Sequence, residues 1–165
     1  MNEKFIQNLD KLPADVRRQF VLLANQYGEK KKQKSIQDDF LTFVKHVWPD
    51  FIEGSHHKRI ADKFNKLASG EIKRLIINMP PRHTKSEFGS YLLPAWMVGR
   101  NPKLKIIQST NTTELSVRFG RKAKALIDSV EYQKVFKTKL REDSQAAGKW
   151  ETAQGGEYYA AGVGS

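Results

Sequence analysis

A short loop contains the residues of this chain that are best suited to chemistry. It reads Met79-Pro80-Pro81-Arg82-His83-Thr84-Lys85-Ser86, and a helix is predicted directly after it. The first backbone N–H groups of a helix are unpaired and carry a partial positive charge, so they attract phosphate. A lysine at this point can reach the β- and γ-phosphates of a nucleotide, and a hydroxyl on the next residue can ligate Mg²⁺. The spacing therefore suits a phosphate-binding loop.

The loop departs from the usual phosphate-binding pattern, G-x-x-x-x-G-K-[ST], because Met79 and Thr84 occupy its two glycine positions. A β-branched residue such as Thr84 is strained if the loop requires a positive φ there. Taken alone, Lys85-Ser86 after a strand is also compatible with an ordinary helix start. Both interpretations stay open at this point.

The elements around the loop predict a parallel α/β sheet. Residues 74–79 form a β-branched, apolar run that is typical of a strand buried on both faces. After the loop we expect a helix over 85–97, a turn over 99–102, a strand over 104–108, a helix from Asn111 or Thr112 to Asp128, a short helix over 130–136 and a hairpin within 149–165. Strand, loop, helix, strand and helix in succession indicate βαβ units.

The region upstream, residues 1–68, is predicted to be helical, so we divide the chain into regions 1–68 and 69–165. A first helix starts at Pro13 and carries an apolar stripe of Val16, Phe20, Leu23 and Tyr27. Residues 28–34 form a basic connector. A capping-box-like pair, Ser35 and Asp38, then starts a helix that buries Ile36, Phe40, Phe43, Val44 and Val47, and a third helix covers 56–67.

Charge and composition narrow the classes of partner. The chain has 165 residues, enough for one domain, with 29 Lys and Arg against 18 Asp and Glu, a net charge of +11. Such an excess favours a polyanion, most often nucleic acid, although a basic protein without such a partner remains an alternative.

No apolar run approaches the roughly 18 residues of a membrane span. The absence of cysteine excludes disulfides and a thiol nucleophile.

The stretch from Pro80 to Glu87 resembles the deviant Walker A loop of phage large terminase subunits, which is typically Pro-Pro-Arg-His-Gly-Lys-Ser. The resemblance covers about residues 40–165. It also includes Phe43 to Phe51, His56-His57, Leu75 to Met79, Leu93-Pro94-Ala95-Trp96, Gly99 to Pro102, Lys105-Ile106-Ile107, Ser109-Thr110 and Phe119-Gly120-Arg121. Thr84 replaces the glycine that is commoner in this family.

The resemblance implies an incomplete RecA-like P-loop ATPase with a parallel sheet, preceded by the helical region, and ATP and Mg²⁺ as cofactors. By analogy, Lys85 would bind the β- and γ-phosphates and Ser86 the Mg²⁺. Arg82 would act in cis as an arginine finger, which makes Arg82 and Lys85 the implied catalytic residues. The implied nucleotide-binding residues are Pro81, Arg82, His83, Thr84, Lys85, Ser86 and Glu87. For His83 we expect a hydrogen bond that shapes the loop.

The family's activity is ATP-driven translocation of double-stranded DNA into a procapsid in the host cytoplasm, without a membrane. Its implied partners are the portal protein, a small terminase subunit and further copies of the chain in a ring. An ATPase also needs an apolar strand ending in Asp, which is not apparent here, since Ala125 to Asp128 fits a helix. We therefore expect an N-terminal piece of the motor, without its nuclease domain, that does not hydrolyse ATP alone.

Two alternatives remain. One is another DNA-dependent P-loop ATPase such as a helicase, and the other is a non-enzymatic basic DNA-binding module.

His56 and His57 are placed near the adenine by the resemblance, but their position favours a helix start. Whether the basic residues Arg118, Arg121, Lys122 and Lys124 face DNA or only solvent stays open. The three tryptophans, Trp48, Trp96 and Trp150, are predicted to lie in the core.

Overall fold

The computed structural model describes residues 13–163, with the side chain of Gln145 left out. The chain divides into two compact units, Met1–Ser35 and Ile36–Ser165. The boundary predicted between residues 68 and 69 lies inside the second unit, and that division stays a prediction. Both the loop 80–84 and the sheet belong to the second unit.

The first described helix, α1 (Ala14–Asp38), is longer than predicted. The expected connector over 28–34 is helical, because its Lys, Glu and Gln residues are good helix formers and a single glycine costs only about 1 kcal/mol. Ser35 is therefore not a helix start. The predicted stripe lies on this helix, but its side chains are exposed, from 37% for Phe20 to 72% for Tyr27.

Two further helices precede the loop. Helix α2 (Phe40–Val47) begins after Asp39, whose carboxylate accepts the backbone N–H of Thr42 at 2.7 Å. Helix α3 (Ser55–Ser69) confirms the predicted third helix, and Gly70 ends it with a left-handed φ of 80°.

The segment over 74–79 is not a strand, so the predicted strand is wrong. Its side chains alternate as they would in one: Leu75, Ile77 and Met79 pack against the core, whereas Ile76 is 86% exposed. The pattern of β-branched residues produces an extended chain with one inward face, but within the described residues no strand pairs with it.

The chain is helical from Lys85 to Arg100, as a π-helical segment (Glu87–Leu92) continued by α4 (Leu93–Arg100). The turn predicted from residue 99 starts later, because Gly99 belongs to the last turn of α4. A Cβ at Gly99 would lie 2.6 Å from the Phe136 ring, so the glycine permits this close contact.

Four strands form a mixed sheet in the order β1-β4-β3-β2. They are β1 (Lys105–Thr110), β2 (Leu140–Ala146), β3 (Lys149–Thr152) and β4 (Glu157–Gly162). Only β1 and β4 are parallel, with Ile106 opposite Tyr158, and the other pairs are antiparallel. The expected parallel sheet is thus wrong beyond one pair, the predicted hairpin is confirmed as β3–β4, and β2 was not predicted.

Helix α5 (Thr113–Ile127) packs against β1 and β4, and a short helix, α6 (Val130–Gln133), follows it. Thr112 caps α5 by accepting the N–H of Leu115, as the sequence predicted. The opposite face of the sheet is more open, since Ile107 is 78% exposed. The result is an α/β fold with helices before the sheet.

The core joins α2, α3, α4 and α5 to the inner face of the sheet. Phe40 is fully buried at its centre, and its ring meets those of Phe64, Phe88 and Trp96 edge to face at 5.0 to 5.4 Å. Trp96 and Trp150 are fully buried, as predicted, whereas Trp48 is half-buried. None of the helices between residues 13 and 163 is long and apolar enough to cross a bilayer.

Candidate functional site

The candidate site is the loop over 80–84 together with the first helical residues that follow it. The extended segment 74–79 leads into the loop, and the helix begins at Lys85. The carbonyl oxygen of Thr84 accepts the N–H of Phe88 at 2.9 Å, which closes the first helical turn. Lys85 and Ser86 therefore occupy the start of a helix, where N–H groups lack partners within the helix.

Two loop residues have left-handed backbone conformations, Arg82 with φ 63° and Thr84 with φ 59°. Thr84 stands at the position before the lysine, where the usual phosphate-binding pattern has glycine. Turns that include left-handed residues direct successive N–H groups into one concavity, which binds anions. The backbone of this loop thus adopts a glycine-type conformation although no glycine is present.

An open cavity of about 570 Å³ lies against the loop and is lined by residues 79–87. It brings together all seven residues predicted to bind the nucleotide. Arg82, Lys85 and Ser86 are exposed at this cavity, so two cationic side chains and one hydroxyl are accessible to a ligand. Such a set favours a polyanion such as a phosphate chain.

His83 shapes the loop, as expected. Its Nδ1–H donates to the carbonyl oxygen of Pro81 at 2.9 Å, two residues back. This bond shows that the imidazole is part of the loop's own structure.

A histidine from α3 contacts the loop directly. His57 is 5% exposed, and its Nε2 lies 2.7 Å from the hydroxyl oxygen of Thr84. Burial lowers the pKa of His57, and His56 and His83 nearby lower it further, while Glu53 opposes them. His56 and His57 both lie in the first turn of α3, which confirms the predicted helix start.

Glu87, the last of the predicted nucleotide-binding residues, is engaged by another element. Its two carboxylate oxygens accept hydrogen bonds from the Lys122 ammonium at 2.8 and 2.6 Å. The Lys122 ammonium also lies 4.8 Å above the centre of the Tyr91 ring. Of the four basic residues considered on α5, Arg118 and Arg121 are exposed, whereas Lys122 and Lys124 are half-buried.

Ser86 provides a single hydroxyl at the cavity for the predicted Mg²⁺. Between residues 13 and 163, no group of three or more His, Asp or Glu side chains could hold a metal ion. A serine alone is a weak ligand for Mg²⁺, which usually binds with few protein ligands, substrate phosphates and water. The described residues are therefore suited to Mg²⁺ only if a bound phosphate supplies further ligands.

Two features of the site were missed by sequence reasoning, namely the contact of His57 with Thr84 and the ion pair of Lys122 with Glu87. The only signal in the sequence was Thr84 itself, because a β-branched residue at a glycine position requires something to hold it. The partner lies 27 residues away and on a different helix.

The fold and the loop define an α/β protein with an open cavity at the start of a helix, where two cationic side chains are exposed. No protein-family model, no curated protein and no solved structure matches this chain.

Proposed function

We propose that the loop over 80–86 binds the phosphate chain of ATP with Mg²⁺. The observation that carries this proposal is the left-handed conformation of Thr84 immediately before Lys85. A threonine adopts this conformation at a cost, so its presence where phosphate-binding loops have glycine favours a functional loop over an ordinary helix start.

The proposed roles follow from position and chemistry. Lys85 would bind the β- and γ-phosphates, and the Ser86 hydroxyl would be a ligand of the Mg²⁺ that accompanies them. Arg82 is exposed in the loop and is suited to neutralise charge that develops on the γ-phosphate. Pro81, His83 and Thr84 shape the cavity.

We further propose that the chain belongs to a RecA-like motor of the large terminase kind, which translocates double-stranded DNA into a procapsid in the host cytoplasm. The sequence resemblance over residues 40–165 and the net charge of +11 support this assignment. The portal protein, a small terminase subunit and further copies of the chain are the proposed partners. Arg118 and Arg121 are exposed on α5 and available to DNA phosphates.

The competing hypotheses make different predictions. A helicase would also bind ATP, but its sequence downstream of this region would lack a nuclease. A basic DNA-binding module would bind no nucleotide, and its Lys85 would only start a helix. Nucleotide binding is therefore the property to measure first.

The test is equilibrium binding of a fluorescent ATP analogue, with and without Mg²⁺, to the unaltered chain and to two variants. Lys85→Ala should weaken binding by at least about tenfold, since a charge-assisted contact to phosphate is worth about 1.5–3 kcal/mol. Lys137→Ala removes the same charge from an exposed position outside the cavity and should change little. Equal affinity in all three proteins, or no binding at all, would contradict the proposal.

A further inference from the structure

The left-handed backbone conformation of Thr84 is energetically unfavourable. A left-handed conformation costs a residue with a Cβ roughly 1–2 kcal/mol, and Thr84 is β-branched as well. Glycine would adopt the same φ without this cost. A strained residue persists only where its surroundings hold it, so contacts to Thr84 must stabilise the conformation.

Hydrogen bonds hold the Thr84 hydroxyl on both sides. The N–H of Gly54 donates to Nδ1 of His57 at 2.9 Å, so in the neutral imidazole the hydrogen is on Nε2. Nε2–H then donates to the Thr84 hydroxyl oxygen at 2.7 Å. The hydroxyl in turn donates to the backbone carbonyl oxygen of His83, also at 2.7 Å. In this series of hydrogen bonds, each donor faces an acceptor.

The imidazole of His57 is itself fixed in place. Its ring centre lies 4.8 Å from that of Phe51 and 5.0 Å from that of Phe88, and the side chain is almost fully buried. Phe88 also donates its N–H to the carbonyl oxygen of Thr84. The rigid surroundings of His57 therefore limit the movement of Thr84 at its side chain, while Phe88 limits it at its backbone.

We infer that His57 is a positioning residue for the phosphate-binding loop. By holding the Thr84 hydroxyl, it stabilises the left-handed conformation that glycine would adopt unaided, and so keeps the helix start at Lys85 and Ser86 in place beside the cavity. His57 lies outside the set that lines the cavity, so it acts through Thr84. The inference rests on the proposed nucleotide binding.

The test is a double-mutant cycle on the 165-residue chain, read out by binding of the fluorescent ATP analogue. His57→Leu alone should weaken binding about tenfold, because Thr84 loses its support. In the Thr84→Gly background the same substitution should cost less than about twofold, since glycine needs no support. A structural defect caused by His57→Leu would weaken both backgrounds equally, and that result would overturn the inference.

A second pair of variants keeps the test valid if His57→Leu fails to fold. Thr84→Val removes the hydroxyl but preserves the shape of the side chain, whereas Thr84→Ser keeps the hydroxyl. Binding should weaken about tenfold with valine and be retained with serine, and equal affinity of the two variants or the reverse order would overturn the inference. His46→Leu is the control, since Nε2 of His46 lies 3.0 Å from the backbone carbonyl oxygen of Glu131, a residue outside the loop.

Unfolding by urea without nucleotide separates the inference from the proposed function. The effects of His57→Leu and Thr84→Gly on the unfolding equilibrium constant should be coupled by at least about fivefold. Weaker coupling than this would overturn the inference, whatever the affinity for ATP. Strong coupling in a chain that binds no ATP would support the contact and overturn the nucleotide assignment.

Discussion

The ammonium group of Lys122 donates to both carboxylate oxygens of Glu87, and this pair joins the middle of α5 to the helix that follows the loop. Glu87 stands directly after Ser86, so its negative charge lies near the position proposed for the phosphates. Lys122 neutralises that charge. Both side chains are more than one-third exposed, so the pair contributes less than about 1 kcal/mol to folding.

Removal of the Lys122 charge should therefore change the affinity for ATP more than the free energy of unfolding. We expect Lys122→Met to weaken ATP binding by about three- to tenfold, because Glu87 then repels the phosphates across a partly screened distance. Adding Glu87→Gln to Lys122→Met should restore the affinity. Calorimetric titration at low and high salt would measure both effects, and an unrestored double variant would refute this explanation.

Stability should depend on pH through His57. Burial lowers the pKa of His57 in the folded chain below its ordinary value of 6.5. Between the lowered pKa and pH 6.5, the unfolded chain therefore binds a proton that the folded chain does not. The contribution of the neutral ring is complete above pH 6.5 and decreases as the pH falls below it. A protonated ring would also present a hydrogen at Nδ1 to the N–H of Gly54, where an acceptor is needed.

The measurement is urea unfolding of the unaltered chain and of His57→Gln at a series of pH values above and below 6.5. The groups facing His57 include Glu53, His56 and His83, so each also needs a glutamine variant. Between pH 6.5 and pH 4.5, the ordinary pKa of Glu53, only His57→Gln should flatten the decrease in stability. If His56→Gln or His83→Gln flattened it instead, the titrating group would have been misassigned.

Gly120 should tolerate no side chain. A Cβ there would lie 2.6 Å from the carbonyl oxygen of Ala147 and 2.9 Å from the Tyr158 ring. Gly120→Ala should destabilise the fold by about 1–3 kcal/mol, as overpacking does.

Gly28 is the matched control for Gly120, because it also lies within a helix and, apart from the backbone of its own helix and its two chain neighbours, no described atom is within 4 Å of its Cβ position. Gly28→Ala should stabilise α1 by roughly 0.5–1 kcal/mol. Chemical denaturation measures both changes, and similar results for the two glycines would contradict the packing described around Gly120.

The two buried tyrosines should respond oppositely to loss of their hydroxyl. Tyr158 is fully buried and stacked on Trp150 with ring centres 4.7 Å apart, and its hydroxyl has no partner within residues 13–163. Burial also raises the pKa of Tyr158. Tyr158→Phe should leave the free energy of unfolding unchanged or increase it by up to about 1 kcal/mol, because an unsatisfied group is removed.

Tyr132 provides the comparison, since its hydroxyl donates to the carbonyl oxygen of Ala95 at 2.8 Å. Tyr132→Phe should lower the free energy of unfolding by about 1–2 kcal/mol, because a buried hydrogen bond is lost. Urea denaturation of both variants tests the contrast. A larger loss for Tyr158→Phe than for Tyr132→Phe would show that Tyr158 has an acceptor.

The sequence by itself determined the features that depend on neighbouring residues. The cap at Thr112, the hairpin around Gly155-Gly156 and the helix start at Lys85 were all predicted, because each depends on contacts within a few residues. The loop at 80–86 was also located from its residue types. The continuous α1 was missed since helix propensity outweighed one glycine.

The tertiary structure decided the features that depend on distant partners. Residues 74–79 have the pattern of a strand, yet a strand requires hydrogen bonds to a neighbour, and none is paired with them in the described part of the chain. The conformation of Thr84 likewise depends on His57 on another helix. Residue types predict which groups the backbone brings to a loop, but only packing determines which distant side chain holds them in place.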